Sequence, residues 1–228
     1  MWFYYDTTWI IVLPALLLTV WAQSRVQSTY HRYARVYARS GMTGAQVARR
    51  LLDEAGLYDI PVQQTPGYLT DHFDPKSRVI RLSPGVYQGS SLAALGIAAH
   101  ETGHALQHAE GYIPLAFRNN IFPIAHIGSQ LAFPLFFMGL FFGSLQGLMT
   151  VGIFLFTFAV LFQLVTLPVE FNASSRAIAL LSESGYLASN EIQPTKEVLN
   201  AAALTYLAAA AVSITQLIRL LILRDRRR

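Results

Sequence analysis

The chain of 228 residues contains no cysteine and little charge of either sign. The absence of cysteine excludes disulfides, thiolate metal sites and cysteine nucleophiles, so any metal ion must be held by His, Asp or Glu. Charged residues make up 13% of the chain, whereas hydrophobic residues make up 53%. This balance is too apolar for an ordinary soluble domain, and it indicates several membrane spans.

The charge that is present has an excess of positive sign, with a formal net charge of +4. Basic residues that flank membrane helices on their cytoplasmic side account for such an excess. A nucleic-acid-binding protein would need a soluble basic face with interleaved aromatic side chains, and the sequence shows none. We therefore expect the lipid bilayer, and no nucleic acid, as a partner of this protein.

The first apolar run covers residues 7–22, with Trp9 and Trp21 near its ends. A cleaved signal peptide needs a basic start, whereas residues 1–6 contain neither Lys nor Arg. We therefore expect an uncleaved transmembrane anchor over residues 1–24, with the two tryptophans at the membrane interfaces.

Two further apolar stretches supply the remaining spans. Residues 121–167 are almost free of charge and long enough for two helices, with a hairpin at residues 143–147. Residues 199–223 contain one charge, Arg219, and lead into a basic tail. The predicted divisions are a transmembrane hairpin over residues 121–169, a helix and loop over residues 170–198, and a hydrophobic helix with its tail over residues 199–228.

The orientation of these spans follows in part from the arginines. Six of them fall between Arg25 and Arg50, which predicts that residues 25–120 are cytoplasmic. A fourth full span would then place the basic tail outside, which the same rule disfavours. Either the last helix does not cross fully or the tail is an exception, and both alternatives stay open.

The region between the first span and the hairpin carries helix and strand signals. Residues 24–40 have arginines between tyrosines, and we expect a helix that lies on the membrane or forms a stalk with a solvated charged face. Thr43 and Gln46 predict a capping box for a helix that ends near Ala55. Ser90 or Ser91 caps a long helix that continues to about Glu110.

Strand and turn signals lie between these two helices. A turn is predicted at Asp74-Pro75-Lys76-Ser77, because Asp before Pro is common in turns. The three predicted strands are residues 59–63, 67–73 and 78–82. We therefore expect a mainly α fold with about four transmembrane helices, in which residues 25–120 form an α+β zincin-like core with a small β-sheet.

The segment His100-Glu101-Thr102-Gly103-His104 lies on the predicted long helix. Residues four apart share one helix face, so the two imidazoles can bind one zinc ion at about 2.0–2.1 Å. Glu101 would lie beside the ion, where it can take a proton from water and give it to a leaving amine. The neighbouring residues are small or apolar, so a metal explains three buried titratable groups better than a pair of hydrogen-bonded core histidines.

A catalytic zinc site needs a third protein ligand and an open position for water. Glu170 is the strongest candidate, because a carboxylate at the end of a membrane hairpin is costly without a partner. His72 and His126 stay open as ligands, whereas His108 lies too far along the same straight helix. The alternative for Glu170 is an ion pair with an arginine such as Arg176.

Four residues are candidates for the oxyanion site or for contacts behind the metal ligands. They are His72, Asn172, Ser174 and Arg176. Arg176 is six residues from Glu170, which places it off the ligand face by roughly a third of a turn. A structural ion pair therefore explains Arg176 better than an oxyanion contact does. His72 lies near the turn, where it can line the cleft or contact substrate.

Longer stretches of the chain resemble the YugP-type neutral zinc metallopeptidases, a bacterial membrane family. The matching stretches are Leu69-Thr70-Asp71-His72-Phe73-Asp74-Pro75, Ala99-His100-Glu101-Thr102-Gly103-His104-Ala105-Leu106-Gln107-His108, Thr166-Leu167-Pro168-Val169-Glu170-Phe171-Asn172-Ala173-Ser174 and Ala201-Ala202-Ala203-Leu204-Thr205-Tyr206. That family is similar to the HtpX-type and CAAX prenyl proteases. The resemblance implies one zinc ion per chain, held by His100, His104 and Glu170, with Glu101 as the base. Ser174 stands where those relatives have an acidic residue.

The sequence therefore predicts a gluzincin-like zinc metalloendopeptidase in the cell membrane, with several spans. We expect peptide or membrane-protein substrates, because Glu170 closely follows a predicted span, and membrane-protein partners or a homo-oligomer are compatible with the sequence. Two alternatives belong to other classes. One is a membrane scaffold or adaptor whose zinc is structural, and the other is a small transporter with His126 as a relay.

Overall fold

The structure, a computed structural model, describes residues 7–226. The parts of the predicted anchor and basic tail that comprise residues 1–6 and 227–228 lie outside the described residues. Residues 7–226 are mainly helical. The elements in chain order are α1 (Trp9–Tyr33), α2 (Gly44–Glu54), β1 (Val62–Gln64), β2 (His72–Asp74), β3 (Val79–Leu82), α3 (Pro84–Tyr87), α4 (Leu92–Ala109), α5 (Ile113–Phe141), a 3-10 turn (Gly143–Leu145), α6 (Gly147–Glu183) and α7 (Ser189–Asp225).

Four of the described helices are long and apolar enough to cross a membrane, as the sequence predicted. They are α1, α5, α6 and α7, with 25, 29, 37 and 37 residues. Each is longer than its predicted span. The helix predicted for residues 24–40 is the continuation of α1 and ends earlier, at Tyr33.

The second helix of the hairpin and the segment with Glu170 belong to one helix, because α6 continues through Pro168 without a break. Proline lacks an N–H and removes one backbone hydrogen bond, yet apolar membrane helices tolerate this loss. Glu170 therefore lies on the same helix as a candidate membrane span.

The chain divides into two compact units. Unit 1 comprises Met1–Ala22, Ala116–Pro168 and Thr205–Arg228. Its core cluster includes Phe136 of α5, Met149 of α6 and Leu220 of α7. Because Phe136 and Met149 lie close to the hairpin, the end of α7 packs at the hairpin end of the unit.

Unit 2 comprises Gln23–Leu115 and Val169–Leu204. Its central element is α4, which is buried along most of its length and packs against α2. The predicted capping box of α2 is confirmed: the backbone N–H of Gln46 donates to Oγ1 of Thr43, and the N–H of Thr43 donates to Oε1 of Gln46. Of the two serines predicted to cap α4, Ser91 does so and accepts from the N–H of Ala94.

The small sheet of unit 2 has the strand order β1-β3-β2, with β1 parallel and β2 antiparallel to β3. The strand predicted over residues 67–73 is wrong except at its end. Gly67 and Leu69 have φ values of 111° and 54°, which lie in the left-handed region and exclude extended pairing. The predicted turn after Asp74 is confirmed, because its carboxylate accepts from the N–H groups of Lys76 and Ser77.

Candidate metal centre

Two histidines and one glutamate meet inside unit 2. His100 and His104 lie one turn apart on α4, with their ring centroids 4.7 Å apart. Glu170 reaches both rings from α6, and one donor atom from each residue lies within 4.8 Å of the other two. The structure therefore brings together the three residues that the sequence predicted as ligands.

The spacing of these donor atoms suits a zinc ion. Oε2 of Glu170 lies 3.3 Å from Nε2 of His100 and 3.4 Å from Nε2 of His104. Ligands at about 2.0–2.1 Å from a tetrahedral zinc ion stand about 3.3 Å apart. Two imidazole nitrogens and a carboxylate oxygen also form a donor set that zinc accepts, so the residues fit this metal.

The two helices approach closely enough to form this cluster because small residues lie between them. A Cβ atom on Gly103 would lie 2.7 Å from the carbonyl oxygen of Ala173. Ala173 and Ala177 are fully buried on the α6 face that meets the core. The small residues Gly103 and Ala173 therefore lie on the surface along which α6 contacts α4.

The charge around the cluster favours a cation. Burial lowers the pKa of His104, whereas the carboxylates of Glu170 and Glu101 raise it. The carboxylates outweigh burial, so the pKa of His104 lies above its ordinary value. The side chain of Glu170 is only 4% exposed. Two carboxylates next to two imidazoles in a buried site create an environment in which positive charge is stabilised.

Glu101 is buried beside the cluster and contacts the sheet. The backbone N–H of Phe73 donates to its Oε2 over 2.9 Å. Phe73 belongs to β2, the outer strand next to β3. This hydrogen bond connects Glu101 to the edge of the sheet and holds one of its two carboxylate oxygens in place.

Each histidine of the cluster also has a polar partner at Nδ1, the ring nitrogen that faces away from the cluster. Nδ1 of His100 lies 3.1 Å from Oγ of Ser174, and Nδ1 of His104 lies 3.0 Å from Oε1 of Gln107. Nε2 of Gln107 donates to the carbonyl oxygen of Val169 and to Oδ1 of Asn172, at 2.9 Å each. Nδ1 contacts of this kind aim the Nε2 atoms of both rings at the cluster.

Arg176 lies farther from the cluster. Its Nε donates to Oδ1 of Asn172 over 2.8 Å, and its Nη1 forms an ion pair of 2.7 Å with Glu110. The predicted ion pair of Arg176 therefore exists, but with Glu110 in place of Glu170. Two of the four candidate residues lie behind the metal ligands: Asn172 accepts from Gln107, and the hydroxyl of Ser174 contacts Nδ1 of His100.

The remaining histidines considered in the sequence lie outside the cluster of three. His72 is exposed, and its Nδ1 lies 2.8 Å from the carbonyl oxygen of Thr70. The ring of His108 packs near Phe73. His126 belongs to unit 1, where its Nε2 lies 3.1 Å from Nε2 of Gln130. Among residues 7–226, the three-residue metal cluster contains none of them.

The segment around the turn holds β2 in place. The Asp71 carboxylate accepts from the backbone N–H and the hydroxyl of Ser83, at 2.7 Å and 3.1 Å. Burial raises the pKa of Asp71 above its ordinary value, and the nearby charge of Glu101 adds to this. Asp71 and Asp74 therefore fix the two ends of β2, next to Glu101.

Sequence reasoning missed one residue of the site, Gln107. It lies three residues after His104 on α4 and is fully buried. A fully buried amide must be hydrogen-bonded to avoid a large desolvation penalty. The available signal was therefore a polar, uncharged side chain on a helix that is otherwise small and apolar.

Comparisons with known proteins identify relatives of this chain. A family model with the description "Putative neutral zinc metallopeptidase" matches residues 8–225. A curated relative, "Putative membrane protease YugP" of Bacillus subtilis (strain 168), is 52% identical over 209 residues, which is 92% of this chain and 92% of the relative. No solved structure matches the chain.

Proposed function

This chain belongs to the neutral zinc metallopeptidase family, and from that premise we propose that it is a membrane-embedded, zinc-dependent endopeptidase. The observation that carries the proposal is the cluster of His100, His104 and Glu170, with Glu101 buried beside it. Three protein ligands leave one tetrahedral position for water, which is the arrangement of catalytic zinc sites. A structural zinc would need a fourth protein ligand, and the described cluster offers three.

His100, His104 and Glu170 would hold the ion through Nε2, Nε2 and Oε2. When bound, zinc supplies Lewis-acid polarisation of the scissile carbonyl and lowers the pKa of a water molecule. Glu101 accepts a proton as that water attacks the carbonyl carbon, and it delivers the proton to the amine as the C–N bond breaks. Because Oε2 accepts from Phe73, we assign both transfers to Oε1.

We propose that the substrate backbone binds beside β2, an edge strand of the sheet. One side of β2 pairs with β3, and the N–H of Phe73 points to the other side, toward Glu101. An extended peptide that lies along that side of β2 would therefore pass Glu101. β3 lies in the centre of the sheet, so β2 is the suitable one of the two strands near the turn.

The oxyanion contact is assigned by elimination among the sequence candidates. The guanidinium of Arg176 is occupied by Glu110 and Asn172. The amide oxygen of Asn172 accepts from both Arg176 and Gln107, and the hydroxyl of Ser174 contacts Nδ1 of His100. His72 on β2 is exposed and lies next to Phe73 in the chain, so we assign the contact to His72. Its variant His72→Ala should lower kcat about 10-fold or more with zinc binding retained.

The proposed substrates are membrane proteins or their exposed segments. Glu170 lies on the same helix as a candidate membrane span, only two residues after Pro168, where unit 1 ends. The proposal requires that cleavage of a membrane-anchored peptide in vesicles exceed cleavage of the same peptide without its anchor. Equal rates for both peptides would rule out membrane substrates but would leave the zinc chemistry intact.

For orientation, we place residues 25–120 in the cytoplasm and both the hairpin and the tail outside. The arginines after α1 support the first part. The packing of Leu220 of α7 with Phe136 and Met149, close to the hairpin, supports the second. A chain without cysteine allows single-cysteine labelling without a background. Ser144→Cys in the hairpin should react with an impermeant reagent on intact cells, whereas Tyr58→Cys should react only after permeabilisation. The opposite pattern would invert the topology.

The catalytic assignment is tested by Glu101→Gln. The glutamine can still accept from the N–H of Phe73, so the fold and the zinc content should be retained. Loss of a general base lowers the rate by about 10²–10⁴-fold. The measurement is peptide cleavage together with zinc content on the purified protein. A variant with normal zinc and undiminished cleavage would remove Glu101 from the mechanism.

A further inference from the structure

The side-chain amide of Gln107, next to the metal cluster, has a partner for its oxygen and for both of its hydrogens. We infer that Gln107 is a positioning residue that holds His104 in the tautomer with hydrogen on Nδ1, so that the Nε2 lone pair faces the metal. The inference rests on the proposed zinc site. It gives a role to Gln107, which has none in the proposed hydrolysis.

The argument starts at Arg176, because a guanidinium donates and never accepts. Its Nε lies 2.8 Å from Asn172, so the atom of Asn172 at that position must be the oxygen Oδ1. The ion pair with Glu110 fixes the guanidinium from its other side. The orientation of the Asn172 amide therefore follows from a group whose hydrogen positions are not in question.

The same oxygen of Asn172 lies 2.9 Å from Gln107. An oxygen that already accepts from Arg176 can accept again but cannot donate, so the facing atom of Gln107 must be the nitrogen Nε2. A second acceptor confirms this orientation, since the carbonyl oxygen of Val169 also lies 2.9 Å from Nε2. Both hydrogens of the Gln107 amide are used, and its Oε1 is directed to His104.

Oε1 of Gln107 lies 3.0 Å from Nδ1 of His104. Because an amide oxygen only accepts, Nδ1 of His104 must carry the hydrogen, which leaves the lone pair of a neutral ring on Nε2. Nε2 is the atom that faces Glu170. The hydrogen-bond chain from Arg176 through Asn172 and Gln107 therefore leaves Nε2 as the nitrogen of His104 that loses its hydrogen when a metal ion binds.

His100 is held differently. Its Nδ1 faces the hydroxyl of Ser174, which can donate or accept. The hydroxyl restrains the ring but does not select a tautomer. The two ligands of α4 should therefore respond unequally to loss of their partners, with the larger effect at His104.

The test is zinc affinity, measured by competition with a chelating dye on the purified full-length protein in detergent. Gln107→Leu should weaken zinc binding by about 10–100-fold, the usual effect of removing a partner behind a metal ligand. Gln88→Leu is the matched control, because Gln88 is exposed and pairs with Gln64 at the surface. It should bind zinc as the wild type does.

A second pair of variants tests the direction of the hydrogen bonds. Asn172→Asp keeps an oxygen where both Arg176 and Gln107 donate, so it should bind zinc within about threefold of the wild type. Asn172→Leu removes that oxygen and should weaken binding about 10-fold or more. If Asn172→Asp is as weak as Asn172→Leu, the deduced orientation is wrong.

Nitrogen NMR of histidine-labelled, zinc-free protein separates positioning from a general loss of structure. At a pH high enough to keep the His104 ring neutral, the wild-type ring should show the Nδ1–H tautomer, and Gln107→Leu should show a mixture of tautomers with the fold retained. Unchanged zinc affinity, or an unchanged tautomer, in folded Gln107→Leu would overturn the inference. A wild-type chain that binds no zinc would instead overturn the proposed function, so the two failures are distinguishable.

Discussion

Gly103 and Ala173 are in direct backbone contact, so closely that a single added methyl group would not fit. A Cβ on Gly103 would come within 2.7 Å of the carbonyl oxygen of Ala173, closer than Cβ contacts normally occur. The contact lies between α4 and α6, whose side chains form the metal cluster. The distance between the two helices, and with it the reach of Glu170, therefore depends on a residue without a side chain.

Gly103→Ala should consequently separate the two helices and weaken the metal site. Overpacking of a buried contact costs about 1–3 kcal/mol, and the donor atoms would also move apart. We expect a lower melting temperature and weaker zinc binding than in the wild type. Gly147→Ala is the control, because a Cβ at Gly147, the first residue of α6, meets no atom within 4 Å. Normal zinc affinity in Gly103→Ala would show that the site does not depend on this contact.

Ser174 offers a second prediction, on the partner of His100. Ser174→Ala removes the hydroxyl 3.1 Å from Nδ1 and should weaken zinc binding by up to about 10-fold. Ser174→Asp places a carboxylate at that position, and a carboxylate that accepts from Nδ1–H makes the ring a better ligand. Zinc affinity should therefore be highest in Ser174→Asp, intermediate in the wild type and lowest in Ser174→Ala. An affinity that is the same in all three proteins would contradict a role for this contact.

These predictions depend on features that the sequence reveals unequally. The spacing of His100 and His104 on one helix follows from helical geometry alone, and the structure brings Glu170 to both of them. The irregular course of residues 67–71 could not be predicted, because a positive φ at Leu69 depends on tertiary packing that local propensity does not describe. The uninterrupted course of α6 was also hidden, since proline usually ends a helix in a soluble protein.

Gln107 illustrates a different limit. Its neighbours in the chain show only a glutamine on an apolar helix. Its partners Val169 and Asn172 lie more than sixty positions away, and only the packing of α4 against α6 brings them within 2.9 Å. The pairing of Arg176 with Glu110 has the same origin. Contacts between helices that are distant in sequence are therefore what a single sequence does not supply.

Asp74 gives a prediction on stability and pH. Hydrogen bonds from the Ser77 hydroxyl and from the guanidinium of Arg81 hold the pKa of Asp74 below its usual value of 3.8. A carboxyl group with a lowered pKa in the folded state stabilises the protein above its unfolded-state value, and this stabilisation is lost as the pH falls. Asp74→Asn should therefore lower the melting temperature at neutral pH. The difference from the wild type should shrink below about pH 4. A difference that stays constant down to pH 3 would exclude the charge as its cause.

Unit 1 provides a prediction that does not involve the metal site. The guanidinium of Arg219 lies 3.9 Å from the ring centroid of Trp9, and Arg219 is buried on α7. A cation–π contact at a desolvated site contributes about 2 kcal/mol. In a double-mutant cycle of Arg219→Met and Trp9→Leu, the two effects on stability should therefore be non-additive. Additive effects would mean that the two side chains are not coupled.

The most direct test of the central claim is the list of atoms that surround the zinc ion. A crystal structure of the zinc-loaded protein, with anomalous data at the zinc edge, would provide it. We predict one ion per chain, bound by Nε2 of His100, Nε2 of His104 and a carboxylate oxygen of Glu170, with water in the fourth position. A fourth protein ligand, or an ion bound without Glu170, would contradict the assignment of this site as a catalytic zinc centre.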